Sequence, residues 1–182
     1  MIGTSALNGS FQASVTTSSL PVAAYSITAQ YAGNVTNAAS TSAPMSIQIV
    51  ESISGWRPAH FTAGEITAGL AADGADPDGD GISNLNEYLL GTDPRSVTQP
   101  LLTITRTGND CTLSFVARTA TGSGYGGLTR KYDLVATGDL TTPSSWAGVS
   151  GFTGVAGAGQ TVNAVIPITL PNKSYRLKVW LE

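Results

Sequence analysis

Apolar residues recur at every second position in eight stretches of this chain, and that spacing restricts its fold more than any other feature. Side chains of a strand alternate between two faces, so a period of two marks strands with one buried face. Before residue 50 the alternating sets are Phe11, Ala13 and Val15; Tyr25, Ile27, Ala29 and Tyr31; and Met45, Ile47 and Ile49. Beyond residue 100 they are Leu102 and Ile104; Cys111, Leu113 and Phe115; Tyr132 and Leu134; Val162, Ala164, Ile166 and Ile168; and Tyr175, Leu177 and Val179. Turn residues separate them, in Ser18-Ser19-Leu20-Pro21, in Ala32-Gly33-Asn34 and in the long Gly/Thr/Ser run at 119–129. The expected fold class is mostly β, with an antiparallel β-sandwich, or a small barrel, over the C-terminal part.

Charge divides the chain into three blocks. Residues 1–50 carry no Asp, Glu, Lys or Arg, residues 51–100 carry eight acids and two bases, and residues 101–182 carry seven bases and four acids. The expected domains are a partial β repeat at 1–50, a helical linker at 51–99 and a β-sandwich at 100–182. A net charge of −3 without a basic stripe argues against nucleic-acid binding. No run approaches the roughly 18 apolar residues that a membrane-spanning helix needs. Few charges with 41% hydrophobic residues is the reverse of a disordered composition. A chain so rich in Ser, Thr and Gly reads as a secreted β protein. The single cysteine, Cys111, excludes an internal disulfide and fits a buried thiol in a strand. Met1 is followed by neither a basic nor an apolar leader region, so the start reads as a cut within a longer chain.

The middle block is where helices are expected. Thr62 and Glu65 have capping-box spacing, which predicts a helix over about 63–71 with Ile66 and Leu70 as its buried stripe. A second helix is predicted over about 83–90, with Leu85, Tyr88 and Leu89 on one face and Gly91 as its stop. Between them lies the strongest chemical signal. Counting Asp76 as position 1, acids fall at positions 1, 3, 5 and 12 (Asp76, Asp78, Asp80 and Glu87), with Gly81 at position 6. In a tightly curled loop, alternate side chains converge on one centre, and glycine permits the sharp turn. Ile82 at position 7 would offer its backbone carbonyl, and Asn84 at position 9 would bind directly or through water. Glu87, on the outgoing helix, can offer both carboxylate oxygens.

Four carboxylates held together repel by about 1 kcal/mol per pair even in water, and a divalent cation turns that repulsion into cohesion. The donors are all hard oxygen, which favours Ca²⁺ over Zn²⁺. Asp73 and Asp93 flank the loop and could add ligands or hold a second ion, although helix-end and turn roles suit them better.

Three resemblances extend this reading. Gly9-Ser10-Phe11 through Pro21, then Tyr25-Ser26-Ile27-Thr28-Ala29-Gln30-Tyr31-Ala32-Gly33 and Ser40-Thr41-Ser42, resemble the C-terminal half of a bacterial Ig-like repeat. That resemblance implies sandwich strands of a spacer or adhesive stalk. The acidic loop differs from a true EF-hand: Ser83 takes the place of an aliphatic residue, the first helix ends well before Asp76, and no second loop pairs with it. It is more similar to the single loops of thrombospondin type 3 repeats, dockerins and binary-toxin calcium domains. Trp56-Arg57, His60-Phe61 and the stretch from Ala75 to Pro94 resemble a linker near the C-termini of large secreted bacterial proteins. In those the linker leads to a terminal β domain ending in an aromatic-Arg-Leu run, matched by Tyr175-Arg176-Leu177; Asp139-Leu140 and Trp146 fit the same pattern. The resemblance implies a calcium-rigidified joint and no catalysis.

Other constellations are weaker. His60 is the only histidine, and no nucleophile turn accompanies it. The acids that a glycosidase would need are mostly committed to the loop. The Gly-rich run at 122–127 lacks the Gly-Lys-Ser/Thr ending of a phosphate loop and reads as a flexible hairpin loop. The expected function is a non-catalytic, calcium-stabilised module, extracellular or on the cell surface, acting in architecture or adhesion. Its partners would be surface glycans or neighbouring domains. The alternative is a carbohydrate-binding module of a polysaccharide-acting enzyme, using Trp146, Trp180 or the Tyr125 loop.

Overall fold

A computed structural model describes residues 1–18, 20–98, 100–168 and 173–182. Ser19 of the first expected turn and Gln99 at an expected domain boundary lie outside them. The chain is mostly β and divides into two compact units, Met1–Val50 and Glu51–Glu182. The boundary expected near residue 100 falls inside the second unit.

The strands of the first unit are β1 (Ala23–Ile27), β2 (Gln30–Tyr31), β3 (Ser40–Thr41) and β4 (Met45–Ile49). β1 pairs antiparallel with β4, setting Tyr25 opposite Ile47 and Ile27 opposite Met45. β2 and β3 form a second, two-residue pairing. The alternation at Phe11, Ala13 and Val15 does not produce a strand. Asn8 pre-empts it, because its side-chain oxygen accepts from the backbone N–H groups of Ser10 and Gln12 at 2.9 Å each. Asx chemistry of this kind competes with ladder formation. Phe11 is left in a left-handed conformation (φ 61°), with its ring exposed. No described residue of this unit is buried.

The second unit opens with three helices, α1 (Ile53–His60), α2 (Ala63–Thr67) and α3 (Asn84–Leu90). Seven strands follow: β5 (Thr103–Thr107), β6 (Asp110–Ala117), β7 (Arg130–Thr137), β8 (Ala147–Gly148), β9 (Val155–Ala156), β10 (Gln160–Pro167) and β11 (Ser174–Leu181). They make two antiparallel sheets, one ordered β10-β6-β5 and the other β11-β7-β8, with β9 also on β7. Leu113, Leu134 and Ala164 form one core cluster between the sheets; Phe115, Ala117 and Tyr132 form another. All five alternating sets beyond residue 100 fall on strands, apart from Leu102, which precedes β5, and Ile168, which lies past the end of β10; Ile104 and Ile168 are exposed.

The helical segment adds a third cluster, of Trp56, Phe61, Ala71, Tyr88 and Tyr125. The capping box forms as expected: Thr62 Oγ1 accepts from the Glu65 N–H at 3.3 Å, and Glu65 accepts from the Thr62 N–H at 2.9 Å. The helix it starts is shorter than expected. α2 stops at Thr67 and Gly69 turns left-handed (φ 85°), so Ile66 and Leu70 stay exposed and form no buried stripe. In α3 the inward face is Asn84, Glu87 and Tyr88, while Leu85 is exposed. The run at 119–129 is no hairpin loop either. It carries the chain from β6 in one sheet to β7 in the other, and it is pinned. Glu51 accepts from the N–H groups of Gly124 and Gly126 at 2.6 and 2.9 Å. The Tyr88 hydroxyl donates to the Gly124 carbonyl at 2.8 Å, and that of Tyr125 donates to the Tyr88 carbonyl at 2.7 Å.

Candidate metal centre

The loop at 76–87 is closed at its neck by backbone bonds. The Asn84 N–H donates to the Ala75 carbonyl at 2.8 Å, and the Leu85 N–H donates to the Asp73 carbonyl at 3.1 Å. Within the neck, Gly79 (φ 76°) and Gly81 (φ 88°) are left-handed. No neighbour crowds either one, so backbone conformation rather than space selects glycine there. The aspartates brace the curl. Asp76 accepts from the N–H groups of Gly79 and Gly81 at 2.9 Å each, Asp78 from Asp80 at 3.2 Å, and Asp80 from Ile82 at 2.7 Å.

These bonds leave one carboxylate oxygen from each of Asp76, Asp78 and Asp80 within 4.8 Å of the others. Such a triad could hold a metal ion. Asp80 is also braced from beyond the loop: the Thr98 N–H donates to its second oxygen at 2.7 Å, and this bond foremost holds its carboxyl below the usual value. Sequence spacing gave no hint of Thr98, because the contact spans 18 residues.

Along the same stretch of chain, several side-chain polar atoms are buried without a partner. Glu87 and Asn84 are both 0% exposed. Among the described residues, the buried side-chain polar atoms without a hydrogen-bond partner are Asp78 Oδ2, Asn84 Oδ1, both Glu87 carboxylate oxygens and Thr92 Oγ1. All five fall between residues 78 and 92. Leaving one such group unpaired costs about 1–3 kcal/mol, and more for a charge, so four such side chains within one short stretch of chain fit a site built around a cation. Burial pushes the Glu87 carboxyl up to about 7, with the negative charges of Asp78, Asp80 and Asp93 adding to the rise.

The flanking acids are placed differently. Asp73 is ion-paired with Arg57, whose Nε also donates to the Ala71 carbonyl at 2.9 Å. Asp93 lies 3.9 Å from His60 Nδ1 and accepts from the Arg95 N–H at 3.1 Å. Asn84 spends its amide N–H groups on the Leu70 and Ala72 carbonyls at 2.8 Å each, which leaves its oxygen as the free donor atom. Ile82 is half-buried at its expected place in the loop.

Elsewhere, His60 packs at a tilt against Trp56 with ring centroids 4.4 Å apart, and burial lowers its pKa. The Arg176 guanidinium lies 4.2 Å above the Trp146 ring, Lys178 lies 5.5 Å from that of Trp180, and Tyr125 is buried. Among the described residues, no helix is long and apolar enough to cross a membrane. The chain matches no protein-family model, no curated protein and no solved structure.

Proposed function

We propose that Asp76, Asp78, Asp80 and Glu87 bind Ca²⁺ together with the Ile82 carbonyl, and that the ion makes the second unit a rigid, non-catalytic module. Asn84 joins them directly or through a water. The observation that carries this reading is Glu87: a carboxylate with no exposure and no hydrogen-bond partner, which feels the negative charges of Asp78 and Asp80. Hard oxygen donors, a backbone carbonyl and a carboxylate able to bind with both oxygens suit the 6–8 coordination of calcium. The ion would act at a distance through α3. Fixing Glu87 fixes the next residue, Tyr88, whose hydroxyl and carbonyl hold the crossover at 119–129 against the helices. Such a module serves architecture or adhesion in a secreted or cell-surface bacterial protein, with surface glycans or neighbouring domains as its partners.

Thermal melting with and without chelator tests this reading. A ligand bound only by the native state adds RT ln(1 + [L]/Kd), about 2.7 kcal/mol at one hundred times Kd. EDTA should therefore lower the melting temperature by several degrees, and an Asp78→Ala chain should melt at the same temperature in calcium and in EDTA. An identical melting curve for the unsubstituted chain in both buffers would sink the proposal.

A further inference from the structure

A second concavity lies in the same unit, between the helical segment and the outer face of β6. Its volume is ≈ 410 Å³, within the usual range for small-molecule sites, and Trp56 and Tyr125 form its aromatic wall. Its charged lining is basic. His60, Arg118 and Arg130 line it and no carboxylate does. Asp93 does not line it, although it lies 3.9 Å from His60 Nδ1.

Arg130 is the unusual member. It is 1% exposed, and among the described residues no carboxylate pairs with it. Its guanidinium has five N–H donors, and the acceptors it meets are the carbonyls of Tyr88, Leu89, Arg118 and Thr119. Four neutral carbonyls and the Tyr125 ring, whose centroid lies 4.9 Å from the guanidinium carbon, orient the group without supplying a negative charge. A buried cation is costly unless a negative charge compensates it. Arg118 supplies the second charge. Leu113, Phe115 and Ala117 face the core, so by strand alternation Val116 points outward; Arg118, just past the end of β6, is exposed, and both line the concavity.

We infer that this concavity binds a small organic oxyanion of monosaccharide size, with Arg130 as the fixed floor and Arg118 as the mobile clamp. Thr119 and Thr121, which also line the concavity, offer hydroxyl groups for further hydrogen bonds. The carboxylate of a uronic acid and a sulfate ester present the same chemistry to paired guanidinium groups.

The test is an amide NMR titration of the calcium-loaded full chain with glucuronate, inorganic sulfate and glucose. Glucuronate and sulfate should both shift Gly91, Thr121 and Gly159 saturably, with glucuronate the tighter, and glucose should not. Arg118→Gln, an exposed substitution that leaves the core intact, should weaken glucuronate about tenfold. Four results would overturn the inference: no saturable shift; equal binding of glucose and glucuronate; an Arg118→Gln chain that binds as tightly as the original; or shifts confined to the Arg176 and Lys178 strand. Sulfate binding without glucuronate binding would mark an adventitious ion only and would also overturn it.

Discussion

In the N-terminal unit Tyr25 stands opposite Ile47 and neither is buried, whereas in the C-terminal unit Leu113 stands opposite Ala164 and both are fully buried. The two pairs come from the same alternating pattern, so alternation alone does not make a core. A two-stranded pairing has no second layer to cover its apolar face and is marginal in water. The C-terminal unit supplies that layer twice, with sheet on sheet and then helices on the crossover at 119–129. It also holds polar groups in defined pairings, such as the half-buried Glu51 on two loop N–H groups and the buried Arg130 on four carbonyls. Directional bonds of this kind select one arrangement where apolar contact would accept several.

The largest effect should come from cutting the helix-to-crossover cluster. Trp56→Ala should destabilise the C-terminal unit by about 3–5 kcal/mol in urea unfolding, because it leaves a cavity between Phe61 and Tyr88. A loss below about 1 kcal/mol would mean that the helices are not part of that cooperative unit.

Next comes a pH dependence unique to the C-terminal unit. With metal removed, the native state holds a proton on Glu87 up to about 7, against 4.5 for the unfolded chain. This contribution is full below about 4.5 and is lost as pH rises through 7, on the order of 3 kcal/mol in all. His60, its pKa lowered by burial, acts in the opposite sense, with stability falling as pH drops below its unfolded value of 6.5. Glu87→Gln should remove the first slope and leave the second. Saturating calcium should reverse the Glu87 slope, since the ion needs the ionised carboxylate. Metal-free unfolding curves that do not change between pH 5 and 8, in both the original and the Gln chain, would break this part of the account.

The smallest effect should be Tyr25→Ser. It should move the main unfolding transition by less than about 0.5 kcal/mol, because the residue lies outside the unit that dominates it. A larger shift would show that the two units unfold together.

Much of this was legible because it is local. Alternation placed the five principal strands beyond residue 100, spacing placed the Thr62–Glu65 box, and the Asp76, Asp78, Asp80 and Gly81 interval placed the triad. What was not legible depends on partners far along the chain or on competing local bonds. α1 contains Pro58 and has no side-chain cap at Ser52, so it carries no start signal and a breaker inside. Leu85 and Ile66 sat at plausible helical spacing, yet the core turned instead to Tyr88 and to aromatic residues from α1 and the crossover. The glycines at 122–127 suggested freedom, but Glu51, more than 70 residues away, holds their backbone. Asn8, by capturing its neighbours, overrode a strand pattern that periodicity alone favoured.

Calorimetric titration of the metal-free full chain with calcium, beside Glu87→Gln, tests the central claim most directly. The account predicts saturable binding in the original chain, at about 10⁻⁴–10⁻³ M if it behaves as extracellular modules do, and a loss of most of that affinity in the Gln chain. Equal binding by both chains would show that the buried carboxylate is not a ligand. Absence of binding by the original chain would contradict the site altogether.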